Sequence, residues 1–149
     1  MTETILVSSC LLGLPTRYDG TDNHSQAVID YLSQNNLIPI LVCPEQLAGL
    51  PTPRLKCWFS QGDGSAVLAN QGRICDEENR NLTETFLRGA KESLKIAEMT
   101  NCKRAILKQR SPSCGCRKIY RNGQIIEGMG VTAALLLQKG LQLLSEDDF

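Results

Sequence analysis

Three short apolar runs, at residues 4–8, 37–42 and 105–107, most constrain what this chain can become. Each is rich in branched side chains, too short for a helix and bounded by turn formers, the pattern of strands buried on both faces in a parallel sheet. Between the first two, Val28, Ile29 and Leu32 recur at helical spacing, predicting a helix over residues 25–35. Residues 81–100 carry the strongest helical pattern. Leu82, Phe86, Leu87, Ala90, Leu94 and Ala97 form one apolar stripe, and Asn81 or Thr83 is placed to cap it. A further helix is expected over residues 131–139, stopped by Gly140. Strands alternating with helices give an α/β sandwich with a mainly parallel sheet. Two hairpins are expected as small insertions. Residues 66–68 and 73–75 flank Asn70-Gln71-Gly72, and residues 118–120 and 124–126 flank Asn122-Gly123.

At 149 residues the chain fits one domain, spanning residues 1–149. Sixteen basic and sixteen acidic side chains cancel, which argues against a general nucleic-acid or membrane-surface binder. No apolar run approaches the roughly 20 residues of a membrane span. The first residues, Met-Thr-Glu-Thr-Ile-Leu-Val, lack the basic and long apolar regions of a signal peptide. A cytoplasmic protein is therefore expected.

Seven cysteines stand out in such a chain. An odd number, with thiols kept reduced in the cytosol, points to metal ligands or reactive thiols rather than disulfides. With His24 the lone histidine, sulfur dominates any metal site, and thiolates favour zinc, copper(I) or iron–sulfur clusters. Cys10 follows the first strand, Cys43 closes the second, and Cys114 follows the third. Parallel strands place all three loops on one edge, where open α/β sheets bind their ligands. The trio is thus expected to converge although its members lie 33 and 71 positions apart. Cys102 falls at the opposite pole, Cys75 within a predicted hairpin, and both read as small buried hydrophobes. Cys116 can approach the trio, and the placement of Cys57 is open. Three thiolates do not close a four-coordinate zinc site. They suit a cubane cluster with one iron left without a protein ligand, which can act as a Lewis acid.

The residues around these cysteines resemble a known family. Ser8-Ser9-Cys10-Leu11-Leu12-Gly13, Arg17-Tyr18-Asp19-Gly20, Cys43-Pro44-Glu45, Leu50-Pro51-Thr52-Pro53-Arg54, Phe86-Leu87-Arg88-Gly89-Ala90, Ser111-Pro112-Ser113-Cys114-Gly115 and Gly130-Val131-Thr132-Ala133-Ala134 occur in order. This ordered set, which covers essentially the whole chain, resembles the 2-thiouracil desulfurase family. The resemblance implies a compact, three-layer, Rossmann-like α/β sandwich. It also implies an oxygen-sensitive [4Fe-4S] cluster on three cysteines, which the motifs carry onto Cys10, Cys43 and Cys114. The implied activity is hydrolytic removal of sulfur from a small thiolated pyrimidine, releasing sulfide without net redox. An acid/base role falls on Glu45 and polar substrate-side roles on Ser111 and Asp19. Two departures stand out, and the second, a missing acid, bears on substrate range more than on the cluster. Ala48 stands where the family often has Gly, and Leu55-Lys56-Cys57-Trp58 replaces an apolar stretch ending in an acid.

The chemistry implied is water attack on the thiocarbonyl carbon, with Glu45 as base and with Ser111, Ser113 or backbone amides holding the ring. A plainer reading makes Glu45 a helix-start acid beside Pro44, and Asp19-Gly20 a turn. Arg17 and Arg54 are either substrate ligands or solvated charges, and His24 marks a helix start. Two other functional classes stand beside the desulfurase: an iron–sulfur redox or sulfur-transfer protein, and a non-catalytic metal-binding module.

Overall fold

The computed structural model describes residues 2–149. In chain order its elements are β1 (Glu3–Ser8), α1 (Gln26–Gln34), β2 (Leu37–Val42), α2 (Pro44–Leu47), β3 (Cys57–Gln61), α3 (Gly64–Leu68) and β4 (Arg73–Asp76). There follow α4 (Thr83–Met99), β5 (Arg104–Leu107), β6 (Lys118–Arg121), β7 (Gln124–Glu127), α5 (Val131–Gln138) and β8 (Gln142–Ser145). One sheet is wholly parallel, in the order β2-β1-β5-β8. The α/β class and the mainly parallel sheet are as expected.

Burial explains the first strand. Ile5 and Val7 face a core shared with Val28 and Leu32 of α1, whereas Leu6 faces a core shared with Ala97 of α4 and Ala133 and Leu136 of α5. A strand covered on both sides has no polar face, which is why its sequence shows no alternation.

β4, from the first expected hairpin, and β6 and β7, the whole of the second, join β3 in a second sheet, β4-β3-β6-β7, in which only β3 and β6 run parallel. Its Phe59, Ile74 and Ile119 pack on Phe86 and Ala90 of α4 and on Val131 and Leu135 of α5. The helix pair α4–α5 thus lies between the two sheets, with apolar side chains on both faces. The hairpin over residues 118–127 forms as read, with Asn122 and Gly123 both at positive φ (49° and 81°). The reading of residues 66–68 as a strand is corrected. Asp63 Oδ1 accepts the Ala66 amide at 3.1 Å and caps α3, so β4 pairs instead with β3. At the start of α4, Asn81 Oδ1 accepts the Thr83 amide, while Thr83 Oγ1 accepts the Ile74 amide and ties the helix to β4.

Asp76 closes β4 with its side chain buried. Burial works to raise its pKa, but amide hydrogen bonds from Arg80 and Glu78 and the Arg80 guanidinium at 2.7 Å outweigh it and hold the carboxyl below its usual value near 3.8. A depressed folded-state pKa contributes stability that is complete above the unfolded value and is lost as pH falls through the folded one. Asp76→Asn should therefore lower the melting temperature at pH 7, and the gap to wild type should close as pH falls below about 4. Thermal melts of both proteins across that range check this; a gap that persists at low pH would refute it.

Among the described residues, no helix is long and apolar enough to cross a membrane.

Candidate active site

Strand order reverses between β1 and β5: the chain leaves β1 towards β2 on one side and reaches β5 on the other. Such a switch leaves a crevice beyond the carboxyl ends of the strands. Here it is a cavity of about 360 Å³ whose walls include Cys10, Cys43 and Cys114, together with Glu45 and Ser111.

Each cysteine has its own support. Cys10 sits in a single 3₁₀ turn, Ser9–Leu12, closed by Gly13 at φ 93°. Its sulfur accepts the Asn23 side-chain amide at 3.4 Å. Cys43 is the residue before α2, which Pro44 starts, so Glu45 falls in the first helical turn. Glycine at 89 lets α4 approach this turn, since a Cβ there would lie 2.2 Å from the Pro44 carbonyl oxygen. Cys114 is buried in the loop after β5. Ser111 Oγ shapes that loop by accepting the amides of Ser113 and Cys114, each at 3.1 Å. These two bonds use both lone pairs, so the Ser111 hydroxyl can offer a ligand only its proton.

Glu45 is only 11% exposed and links two of the loops. Its Oε1 accepts the hydroxyl of the fully buried Ser113 at 2.5 Å. Its Oε2 lies 3.6 Å from Cys43 Sγ and 3.9 Å from Arg54 Nη2. Arg54 is anchored in turn, donating to the Thr16 carbonyl at 2.9 Å and the Thr52 hydroxyl at 2.9 Å. Glu45 is thus both a first-turn acid of α2 and part of the cavity wall.

Burial and the Glu45 charge push Cys43 up to about 11. Cys114 is driven well above the usual thiol range by burial, then by Glu45, Cys10 and Cys43, with Ser8 acting the other way. Burial also raises Cys10, against the Asn23 amide and Lys108. These thiols stay neutral without a cation, and a metal that takes them releases their protons.

The structure does not bring Asp19 to the cavity. It is exposed, and its Oδ1 accepts the Thr21 amide and hydroxyl at 3.1 and 2.6 Å, the arrangement of a turn. Cys116 and Cys102 belong to the core between the parallel sheet and the helix pair. Cys57, whose placement the sequence left open, begins β3 and joins the cavity wall. The Ser113–Glu45 contact joins residues 68 positions apart, and only the adjacency of the β2 and β5 sides of the crevice produces it.

Fold and cavity together define an α/β protein with a thiol-lined site at the strand switch. Residues 5–148 match the 2-thiouracil desulfurase family, and the chain belongs to it. A relative from Bacillus subtilis (strain 168), uncharacterized protein YbbK, is 38% identical over 147 residues, covering 97% of this chain and 96% of its own. Among solved structures, the [4Fe-4S]-dependent thiouracil desulfidase TudS superimposes with a TM-score of 0.83 at 36% identity, covering 99% of this chain and 93% of that one.

Proposed function

We propose that this chain holds a [4Fe-4S] cluster on Cys10, Cys43 and Cys114 and uses it to remove sulfur hydrolytically from a thiolated uracil, releasing sulfide. The observation that carries this reading is the meeting of Cys10, Cys43 and Cys114, three of the cavity's four free thiols, with the largely buried carboxylate of Glu45 at the strand switch. The similarity to the thiouracil desulfidase supports it.

The donor set fits the group. Soft sulfur ligands suit iron–sulfur chemistry. Among the described residues, no three Cys, His, Asp or Glu side chains gather tightly enough to hold one metal ion. Zinc thiolate sites need sulfurs about 2.3 Å from a common centre. The trio instead lines the walls of one cavity of about 360 Å³. When bound, the cluster supplies an iron without a protein thiolate, a Lewis acid with affinity for soft thiocarbonyl sulfur.

The remaining work belongs to the chain. Ser113 holds Oε1 of Glu45, and Arg54 lies near Oε2, so the carboxylate keeps one orientation. Oε2 accepts a proton from water as the water oxygen attacks the thiocarbonyl carbon. The carbon–sulfur bond then breaks, and sulfur leaves with its electron pair and a proton. Thiocarbonyl and water become carbonyl and hydrogen sulfide, and no electron is gained or lost overall. The Ser111 hydroxyl can donate to the ring.

The test is sulfide release from 2-thiouracil by anaerobically reconstituted protein. One uracil should form per sulfide. Uracil in excess of sulfide would mean that sulfur is passed to a carrier, and cluster-loaded protein that forms no uracil would overturn the reading.

The Cys114 loop also rests on α5. Gly130 precedes that helix, and a Cβ there would lie 2.4 Å from the Ser113 carbonyl group and 2.8 Å from the Cys114 amide. Gly130→Ala should displace the loop at a cost of about 1–3 kcal/mol of stability and reduce iron retained per chain. Melting temperature and iron content measured on one preparation check both effects; unchanged iron would remove this contact from the account.

A further inference from the structure

We propose that Arg110 selects an oxygen-bearing pyrimidine, its guanidinium donating to the ring carbonyl of the substrate. This rests on the desulfurase reading and adds a specificity determinant to it. The cavity walls carry five cationic side chains, Arg17, Arg54, Lys56, Lys108 and Arg110, against the single carboxylate of Glu45. Four of the five are engaged. Arg54 lies by Glu45, and Lys108 pairs with Glu146 at 2.7 Å. Arg17 lies 4.0 Å from Asp19, and exposed Lys56 sits over the rings of Tyr18 and Tyr120, at 6.0 and 5.4 Å.

Arg110 is different. Among the described residues its side chain has no ion-pair partner, and its Nε is buried with no hydrogen-bond acceptor. A buried donor left unmade costs free energy, so native structures rarely keep one without use. Its backbone is also unusual, at φ 71°, in the left-handed region that side chains with a Cβ avoid. The Arg110 amide donates to the Lys118 carbonyl at 3.0 Å, and a bridge to Ile119 fixes the segment. Glycine would take this conformation without strain, so the arginine side chain is held here against local preference. Such strain clusters at ligand sites. Next along the chain, Ser111 has only its proton left to give. The side chains of these two residues therefore offer the cavity donors and no acceptor. A thiouracil has one group to answer it apart from the thiocarbonyl, its ring carbonyl oxygen.

The test compares 2-thiouracil with pyrimidine-2-thione, which keeps the thiocarbonyl but lacks the oxygen. Anaerobic equilibrium binding and steady-state kinetics are measured on cluster-loaded wild type, Arg110→Gly and Arg110→Lys. Glycine removes the side chain while relieving the φ strain, so the fold is kept. Wild type should bind 2-thiouracil about 10- to 100-fold more tightly than the analogue, the range for a hydrogen bond from a charged donor. Arg110→Gly should abolish that preference and raise KM for 2-thiouracil by the same factor with kcat little changed. Arg110→Lys should retain part of it. An Arg110→Gly protein that still prefers 2-thiouracil as wild type does would overturn the proposal, whatever its activity. The desulfurase reading is scored separately by sulfide release from wild type. A preference lost in Arg110→Gly without any sulfide release would sink that reading and leave Arg110 as a carbonyl-binding residue.

Discussion

Cys10→Ser, Cys43→Ser and Cys114→Ser are each expected to emerge from anaerobic reconstitution without a cluster. The three thiols wall one cavity and come from the ends of β1, β2 and β5, so none can substitute for another. Serine keeps the volume but replaces a soft donor with a hard one that iron–sulfur sites seldom use. Cys75→Ser and Cys102→Ser should retain the cluster, because Cys75 lies in the second sheet and Cys102 packs in the core beyond α4. Iron, acid-labile sulfide and broad visible absorption are the measures. If Cys75→Ser or Cys102→Ser loses the cluster while any one of the trio keeps it, the ligand assignment is wrong.

Glu45→Gln is expected to keep the cluster and bind thiouracil but turn over about 10²–10⁴-fold more slowly, the usual contribution of a positioned general base. The amide is nearly isosteric and its oxygen can still accept from Ser113, so the loops should stay linked. It cannot take a proton from water, and the acid limb of the pH–rate profile should disappear with the carboxylate. The opposing view gives Glu45 only the role of a helix-start acid in α2, so the same change would cost about 1 kcal/mol of stability and little rate. Turnover per cluster near the wild-type value would decide for that view. Activity and cluster content must be read on one sample, so that a lost cofactor is not mistaken for a lost base.

What the sequence disclosed followed from strong local signals. β1 and β5 were visible because strands covered on both faces are continuous apolar runs, and α4 because its stripe repeats over 17 residues; β2 carries the same apolar run although it is an edge strand that leaves Ile38 and Leu41 exposed. The convergence of the trio followed from one rule about parallel sheets. Signals failed where tertiary contacts override local pattern. Ala66-Val67-Leu68 looks like a strand, but the Asp63 cap makes it a helical turn. β3 and β8 have mixed side chains and become strands only because neighbours supply their hydrogen bonds. The second sheet was only half legible: β6 and β7 showed as a hairpin, but the pairing of β3 with β4 and β6 is a tertiary contact that no local pattern records. At the site, Asp19 carried a turn signal and a motif match at once, and the turn is what its contacts serve. The Ser113–Glu45 link left no trace in spacing, since it spans two loops far apart in the chain.

The order of strands also dictates a timetable. Residues 10 and 43 become neighbours once β1 and β2 pair, but residue 114 joins them only after the long α4 crossover has docked β5 on the far side of β1. Parallel pairing across so much chain is among the slower steps available to a domain of this size. A nascent chain halted before β5 therefore offers only two of the three proposed ligands, Cys10 and Cys43. On the proposed ligand assignment, cofactor insertion follows the docking of β5 on β1, and iron delivered earlier meets an incomplete cradle.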